Sequence, residues 1–267
     1  MNRSVVTAIM AKDLKAVQRS KAVVLPMIFV PLVLLVVLPL ILGIAARSQQ
    51  NFDLTRVLEH LPGNLAHPIL ALPQHEQLIV LVSGYLLAPL FLIVPLMVSA
   101  VLAADGFAGE KERKTLESLL HLPMEERDLF AAKFLTAYVP GVLISWVGFV
   151  CFAIVANSVA WPVMHRVFVP TRPWAVLIFW VTPAVTALGL SIIVRVSARA
   201  QTTQEANQLG GTVILPLIVL AVGQASGLLL VDIKIAIVTG ALIWAIALWL
   251  TSRGARRFTR DQLATRM

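Results

Sequence analysis

Six stretches without a single Asp, Glu, Lys or Arg divide this chain, at residues 22–46, 78–104, 134–165, 173–194, 206–231 and 235–252. A helix rises about 1.5 Å per residue, so roughly 17–25 apolar residues cross the hydrocarbon of a bilayer. Every stretch meets that length. The reading is an all-α integral membrane protein with six transmembrane helices, at about 23–46, 79–104, 134–157, 173–194, 208–231 and 234–252. Between the second and third lies a loop, 105–133, and after the sixth a tail, 253–267. Composition agrees: 58% hydrophobic and 13% charged residues give more apolar surface than a soluble domain of 267 residues could bury.

The placement of Lys and Arg orients the spans, because basic loops stay on the cytoplasmic side. With the N-terminus inside, 17 of the 22 basic residues fall on inner segments. The outer five are Arg47, Arg56, Arg166, Arg172 and Lys234. Both termini and loop 105–133 are therefore expected in the cytosol. The net charge of +8 reads as topology and lipid-headgroup contact, not nucleic-acid binding, since no basic folded domain stands outside the spans. The first stretch exceeds the 7–15 apolar residues of a cleaved signal peptide, so it is read as a span. The single Cys151 lies inside a span and offers no intramolecular disulfide.

Ahead of the first span, Val6, Met10, Leu14 and Val17 recur at helical spacing, with Lys12, Asp13, Lys15 and Arg19 on other faces. This predicts an amphipathic helix lying at the membrane interface. Pro26, Pro31 and Pro39 in the first span, Pro89 and Pro95 in the second and Pro216 in the fifth each remove a backbone donor and permit a kink. At membrane depth the polar residues include Ser83, Ser99, Ser145, Thr182, Thr186, Ser191 and Gln224, with no carboxylate or cation in the uncharged stretches. Ion-coupled transporters normally keep such a charge as the coupling group, so the energy for any transport is expected from elsewhere. Each of these polar groups is read first as a helix-packing residue.

The densest charge in the chain is at residues 110–133, with five Lys/Arg and six Asp/Glu in 24 residues. Leu116, Leu119 and Leu120 give a short helix one apolar edge, and Glu110 can pair with Arg113 and Lys114 at i+3 and i+4. Pro123 ends that helix. A second begins with Glu125 and Glu126 at its positive N-terminal end and runs through Leu129 and Phe130 into the third span. A charged helix with a leucine edge is a shape that seats in a groove of a soluble partner. A plain connector helix is the alternative.

The run from Gly109 to Leu120, GEKERKTLESLL, followed by Pro123 and Lys133, resembles the coupling-helix signature of ABC-transporter permeases of the ABC-2 export type. Ser197-Ala198-Arg199 through Gln204-Glu205-Ala206-Asn207 resembles that family's loop into span five, and Phe258 to Leu263 its tail. Lys114 stands where the family usually has Gly. The resemblance implies a cytosolic coupling helix whose Glu110, Glu112, Arg113, Thr115, Leu116, Glu117, Leu119, Leu120 and Pro123 meet a separate cytosolic ABC ATPase. It implies a dimer of such ATPases, a second permease chain, identical or related, and a bacterial or archaeal cell membrane. No phosphate loop of the form G-x-x-x-x-G-K-[ST] occurs in the chain, so ATP and Mg are expected on the partner, and no enzyme activity or cofactor in this chain. The function implied is ATP-driven export of a hydrophobic or amphipathic cargo such as a drug, lipid or peptide. Sodium efflux, or a non-transporting anchor that recruits a cytosolic enzyme, are the alternatives.

Other candidate sites are weaker. His60, His67 and His75, near Glu59 and Glu76, are spaced by seven and eight and match no metal-ligand frame. His121 falls at the end of the predicted coupling helix, where a charge near the C-terminal dipole is ordinary. No Ser/His/Asp or Cys/His arrangement suggests a nucleophile, and Ser83-Gly84 reads as a packing site. Trp161, Trp174 and Trp180 fit an interfacial belt or packing.

Overall fold

In a computed structural model, residues 2–49, 63–110, 125–197, 202, 204–205, 208 and 233–257 are described. Helix α1 (Arg3–Arg19) comes first. Five helices long and apolar enough to cross a membrane follow among the described residues, together with one short helix. We label these α2 (Lys21–Ser48), α3 (Gly63–Leu70), α4 (Gln74–Ala104), α5 (Glu126–Met164), α6 (Arg172–Arg195) and α7 (Ile233–Gly254). The expected span at 208–231 and the predicted helix edge Leu116, Leu119, Leu120 lie outside the described residues.

Sequence accounts for the ends of the helices. Asn2 caps α1 by accepting the amide of Ser4 at 3.2 Å, and Ser20 in extended conformation turns the chain from α1 into α2. Glu125 precedes α5, with Glu126 and Asp128 in its first turn, where negative charge complements the helix dipole. That helix ends at His165, the described non-glycine residue with positive φ, which takes the left-handed position usual for glycine. The prolines accompany altered winding. A π-helical turn at Val33–Val37 lies between Pro31 and Pro39, and another at Val80–Leu86 precedes Pro89, where Leu90–Ala104 begins.

Burial ranks the helices. In their most apolar windows α4 and α6 are 72% buried, whereas α2, α5 and α7 are 22%, 33% and 17% buried. So α4 and α6 form the centre and the others surround them. The outer helices expose apolar stripes at helical spacing, such as Leu143, Val147, Val150 and Ile154 on α5 and Val238, Leu242 and Trp249 on α7. Such stripes would be untenable in water and match hydrocarbon.

Two clusters fill the interior. Near α1, Leu96 and Val98 of α4 pack with Phe130, Phe134 and Ala137 of α5 and Leu190 and Ile193 of α6. Toward the opposite end, Phe91, Phe149, Phe152 and Trp174 form an aromatic group with centroids 5.2–6.4 Å apart. Trp174 Nε1 donates to the Gly84 carbonyl at 3.0 Å. Trp174 thus serves packing, while Trp161 is exposed. Between α4 and α5, Ser99 Oγ donates to the Ala137 carbonyl at 3.0 Å, so this hydroxyl joins helices as a packing residue does. Gly141 makes that approach possible, because a Cβ there would stand 2.8 Å from the Pro95 carbonyl oxygen and also strike Ser99 Oγ. Finally, α6 and α7 run in the same direction: Trp180 Nε1 donates to the Ile237 carbonyl at 3.2 Å near their beginnings, and Arg195 donates to the Leu250 carbonyl near their ends.

Candidate functional site

Loop 105–133 leaves the membrane-length helices at two roots. At the first, α4 continues through a π-helical turn, Asp105–Gly109, to Glu110. At the second, α5 starts at Glu126 and reaches Lys133 two turns later. The structure brings these two roots together under α1. Lys133 Nζ lies 2.7 Å from Glu110 Oε2 and 2.9 Å from Asp13 Oδ2. Lys12 Nζ lies 2.6 Å from Glu110 Oε1 and 3.4 Å from Asp13 Oδ1. Two ammoniums and two carboxylates alternate in a closed, charge-balanced ring.

The ring is mostly withdrawn from solvent. The Lys133 side chain is 1% exposed, Glu110 6% and Asp13 7%, while Lys12 at 49% faces outward. A buried lone charge is very unfavourable, so each of the three inner groups requires its partners. Burial works to raise the pKa of the Glu110 carboxyl, but the Lys133 and Lys12 ammoniums outweigh it and hold the group below its ordinary 4.5. Burial likewise works to lower the pKa of the Lys12 ammonium, and Glu110 with Asp13 outweighs it, leaving the group above 10.5. Glu110 and Lys12 therefore both keep their charge at neutral pH.

Apolar packing and a second polar contact hold α1 beside the ring. Val6 and Ile9 pack on Leu129 and Ala132 of α5. The Asn2 amide donates to Asp128 Oδ2 at 3.0 Å. The buried face of α1 is Val6, Ile9, Asp13 and Val17, with Met10 and Leu14 partly covered. This corrects one expectation: Asp13 does not lie on a polar outer face. An acidic residue in an amphipathic helix is ordinarily solvated, but here Lys133, 120 positions away, supplies the partner that makes its burial tolerable.

Of the residues expected to meet an ATPase, Glu110 is described, and it sits at the first root inside the ring. Glu112, Arg113, Thr115, Leu116, Glu117, Leu119, Leu120 and Pro123 lie outside the described residues, as do His60 and His121. Sequence reasoning missed Asp13 and Lys133 as members of the site. The available signal was charge arithmetic, since Asp13 is the one acidic residue before the first span and Lys133 abuts the longest uncharged stretch.

At the opposite end, Glu76 at the start of α4 is buried and pairs with Arg166 beyond the end of α5. Among the described residues no group of three or more His, Cys, Asp or Glu is placed to hold a metal ion.

Membrane-length helices packed side by side, with these ion pairs at their two ends, define a multi-pass membrane protein. More narrowly, the chain belongs to the ABC-2 transporters: the family described as ABC-2 family transporter protein matches it over residues 7–252. No curated protein and no solved structure matches it.

Proposed function

We propose that this chain is the permease subunit of an ATP-driven exporter, with loop 105–133 docked on a separate cytosolic ATPase. One observation carries the reading furthest: the ring of Lys12, Asp13, Glu110 and Lys133 ties both roots of that loop to α1. A push on the loop reaches α1, the end of α4 and the start of α5 as one body, because undoing the ring would strand buried charge. The remaining parts of the proposal rest on what the coupling-helix resemblance and the placement of Lys and Arg imply. ATP and Mg sit on the partner ATPase dimer, two permease chains assemble, and the loop and both termini face the cytosol of a bacterial or archaeal cell. A sixth span at 208–231 is supported by the parallel course of α6 and α7, which start and finish at matching ends. The absence of any carboxylate or cation from the six uncharged stretches favours a hydrophobic or amphipathic cargo.

The test is co-purification with the candidate ATPase expressed alongside, for wild type and for Leu116→Asp with Leu120→Asp. Loss of the ATPase from the doubly substituted chain is expected. Equal recovery of the ATPase would reduce the loop to a connector and remove the proposal's support.

A further inference from the structure

Away from the ring, at the opposite end of the helices, lies a cavity of about 380 Å³, within the range of small-ligand sites. Its lining is mostly apolar, with Val80, Tyr85, Met164, Phe168 and Trp174 among the walls and the Arg166 guanidinium as the charged group. The site is built rather than incidental. Its floor is the π-helical turn Val80–Leu86, whose wider winding brings Val80, Gly84 and Tyr85 to one side, and such turns recur at functional sites. Its far wall is pinned by Asn157: Oδ1 accepts the amides of Phe168 and Val169 at 3.0 and 3.3 Å, and Nδ2 donates to the Val169 carbonyl at 2.6 Å. Gly84 keeps it open, since a Cβ there would touch only Val80, at an ordinary 3.6 Å.

Charge selects the occupant. Arg166 donates from Nη2 to Glu76, yet its side chain is 54% exposed, and a guanidinium has five N–H donors, of which one carboxylate engages at most two. Glu76 is buried beside it and is not among the lining residues, so a ligand in the cavity meets the cation rather than the carboxylate. We propose that this cavity binds one alkyl chain ending in an anionic head group, the chain lying between Val80, Phe168 and Trp174 and the head on Arg166. That chemistry is shared by a free fatty acid and by one chain of an anionic phospholipid. Binding needs no ATPase, so it stands or falls separately from the coupling proposed above.

The experiment is equilibrium binding of radiolabelled dodecanoate to the full chain in nanodiscs of phosphatidylcholine, with empty discs as background. Saturable binding is expected, about tenfold or more weaker for dodecanol and for dodecyltrimethylammonium, which lack the charge-assisted bonds to Arg166. Gly84→Leu fills the cavity and Arg166→Gln removes the cation, so each weakens binding by about tenfold or more. Glu76→Gln releases Arg166 and tightens it, an outcome a merely structural pair would not give. Replacing part of the phosphatidylcholine with phosphatidylglycerol separates the sources: displacement of the label assigns the site to bilayer lipid, and persistence of the label assigns it to the free acid. Absence of saturable dodecanoate binding, dodecanol binding as well as dodecanoate, or unchanged binding in both Gly84→Leu and Arg166→Gln overturns the proposal.

Discussion

At the scale of single residues, Lys133 and Lys12 carry the same charge and touch the same two carboxylates, yet they should respond differently to removal. Lys133 is buried, so Lys133→Met leaves Asp13 and Glu110 facing each other with one outward lysine between them. We expect a loss of about 3 kcal/mol, the low end for a broken buried pair because Lys12 remains within reach. Lys12→Ala removes a half-exposed partner and should cost less than about 1 kcal/mol. Denaturant midpoints of the purified chain in detergent measure both, and equal losses would contradict the burial argument. The ring also sets a pH window. A depressed carboxyl pKa gives stability that is present above the unfolded value and fades as pH falls through the folded one, so the Glu110 contribution is lost only below 4.5. A raised ammonium pKa works the other way, and the Lys12 contribution is lost only above 10.5. A nitroxide at exposed Thr7, in a Cys151→Ser background, should keep constant mobility between those limits and gain it beyond either. These partners were not legible in the sequence. Local rules direct Glu110 to Arg113 and Lys114 at i+3 and i+4, whereas Lys12 lies 98 positions away. Periodicity likewise leaves Asp13 on a polar face, because it registers hydropathy and not a distant counter-charge.

At the scale of the elements, how closely α5 approaches its neighbours depends on what stands opposite each glycine, α4 at Gly141 and α2 at Gly148. Gly141 faces the Pro95 carbonyl at 2.8 Å from where a Cβ would be, and a backbone oxygen inside a packed helix cannot step aside. Gly148 faces the Leu35 side chain, which can rotate. Gly141→Ala should therefore force the helices apart at a cost of about 1–3 kcal/mol, with Gly148→Ala costing less. Thermal unfolding of the two variants in one detergent checks the order, and the reverse order would show that the close approach at Ser99 is not what holds these helices together. The elements themselves were largely legible. Uncharged stretches foretold the five described membrane-length helices, since hydrocarbon admits little else. Val6 and Val17 correctly marked the packed side of α1. Which helices are central was not legible, because every span is apolar all round and only packing separates α4 and α6 from their neighbours.

At the scale of the whole molecule, the charges divide into two ends with different tasks. Near α1 they form a closed ring that joins three elements, and at the other end the Glu76–Arg166 pair stands beside a cavity. The proposed function gives the first end its meaning, since a permease driven by a cytosolic ATPase would receive work from outside the bilayer. Binding of the ATPase and transmission of its work are separable on this account: loop 105–133 docks, and the ring transmits. The measurement that tests this most directly is ATP hydrolysis by the permease–ATPase complex in liposomes, for wild type and Lys133→Met, with ATPase recovery determined on the same preparations. The account predicts that Lys133→Met retains the ATPase but removes the dependence of its hydrolysis on the permease. Unchanged, permease-dependent hydrolysis in Lys133→Met would contradict it and leave the ring a purely structural clasp.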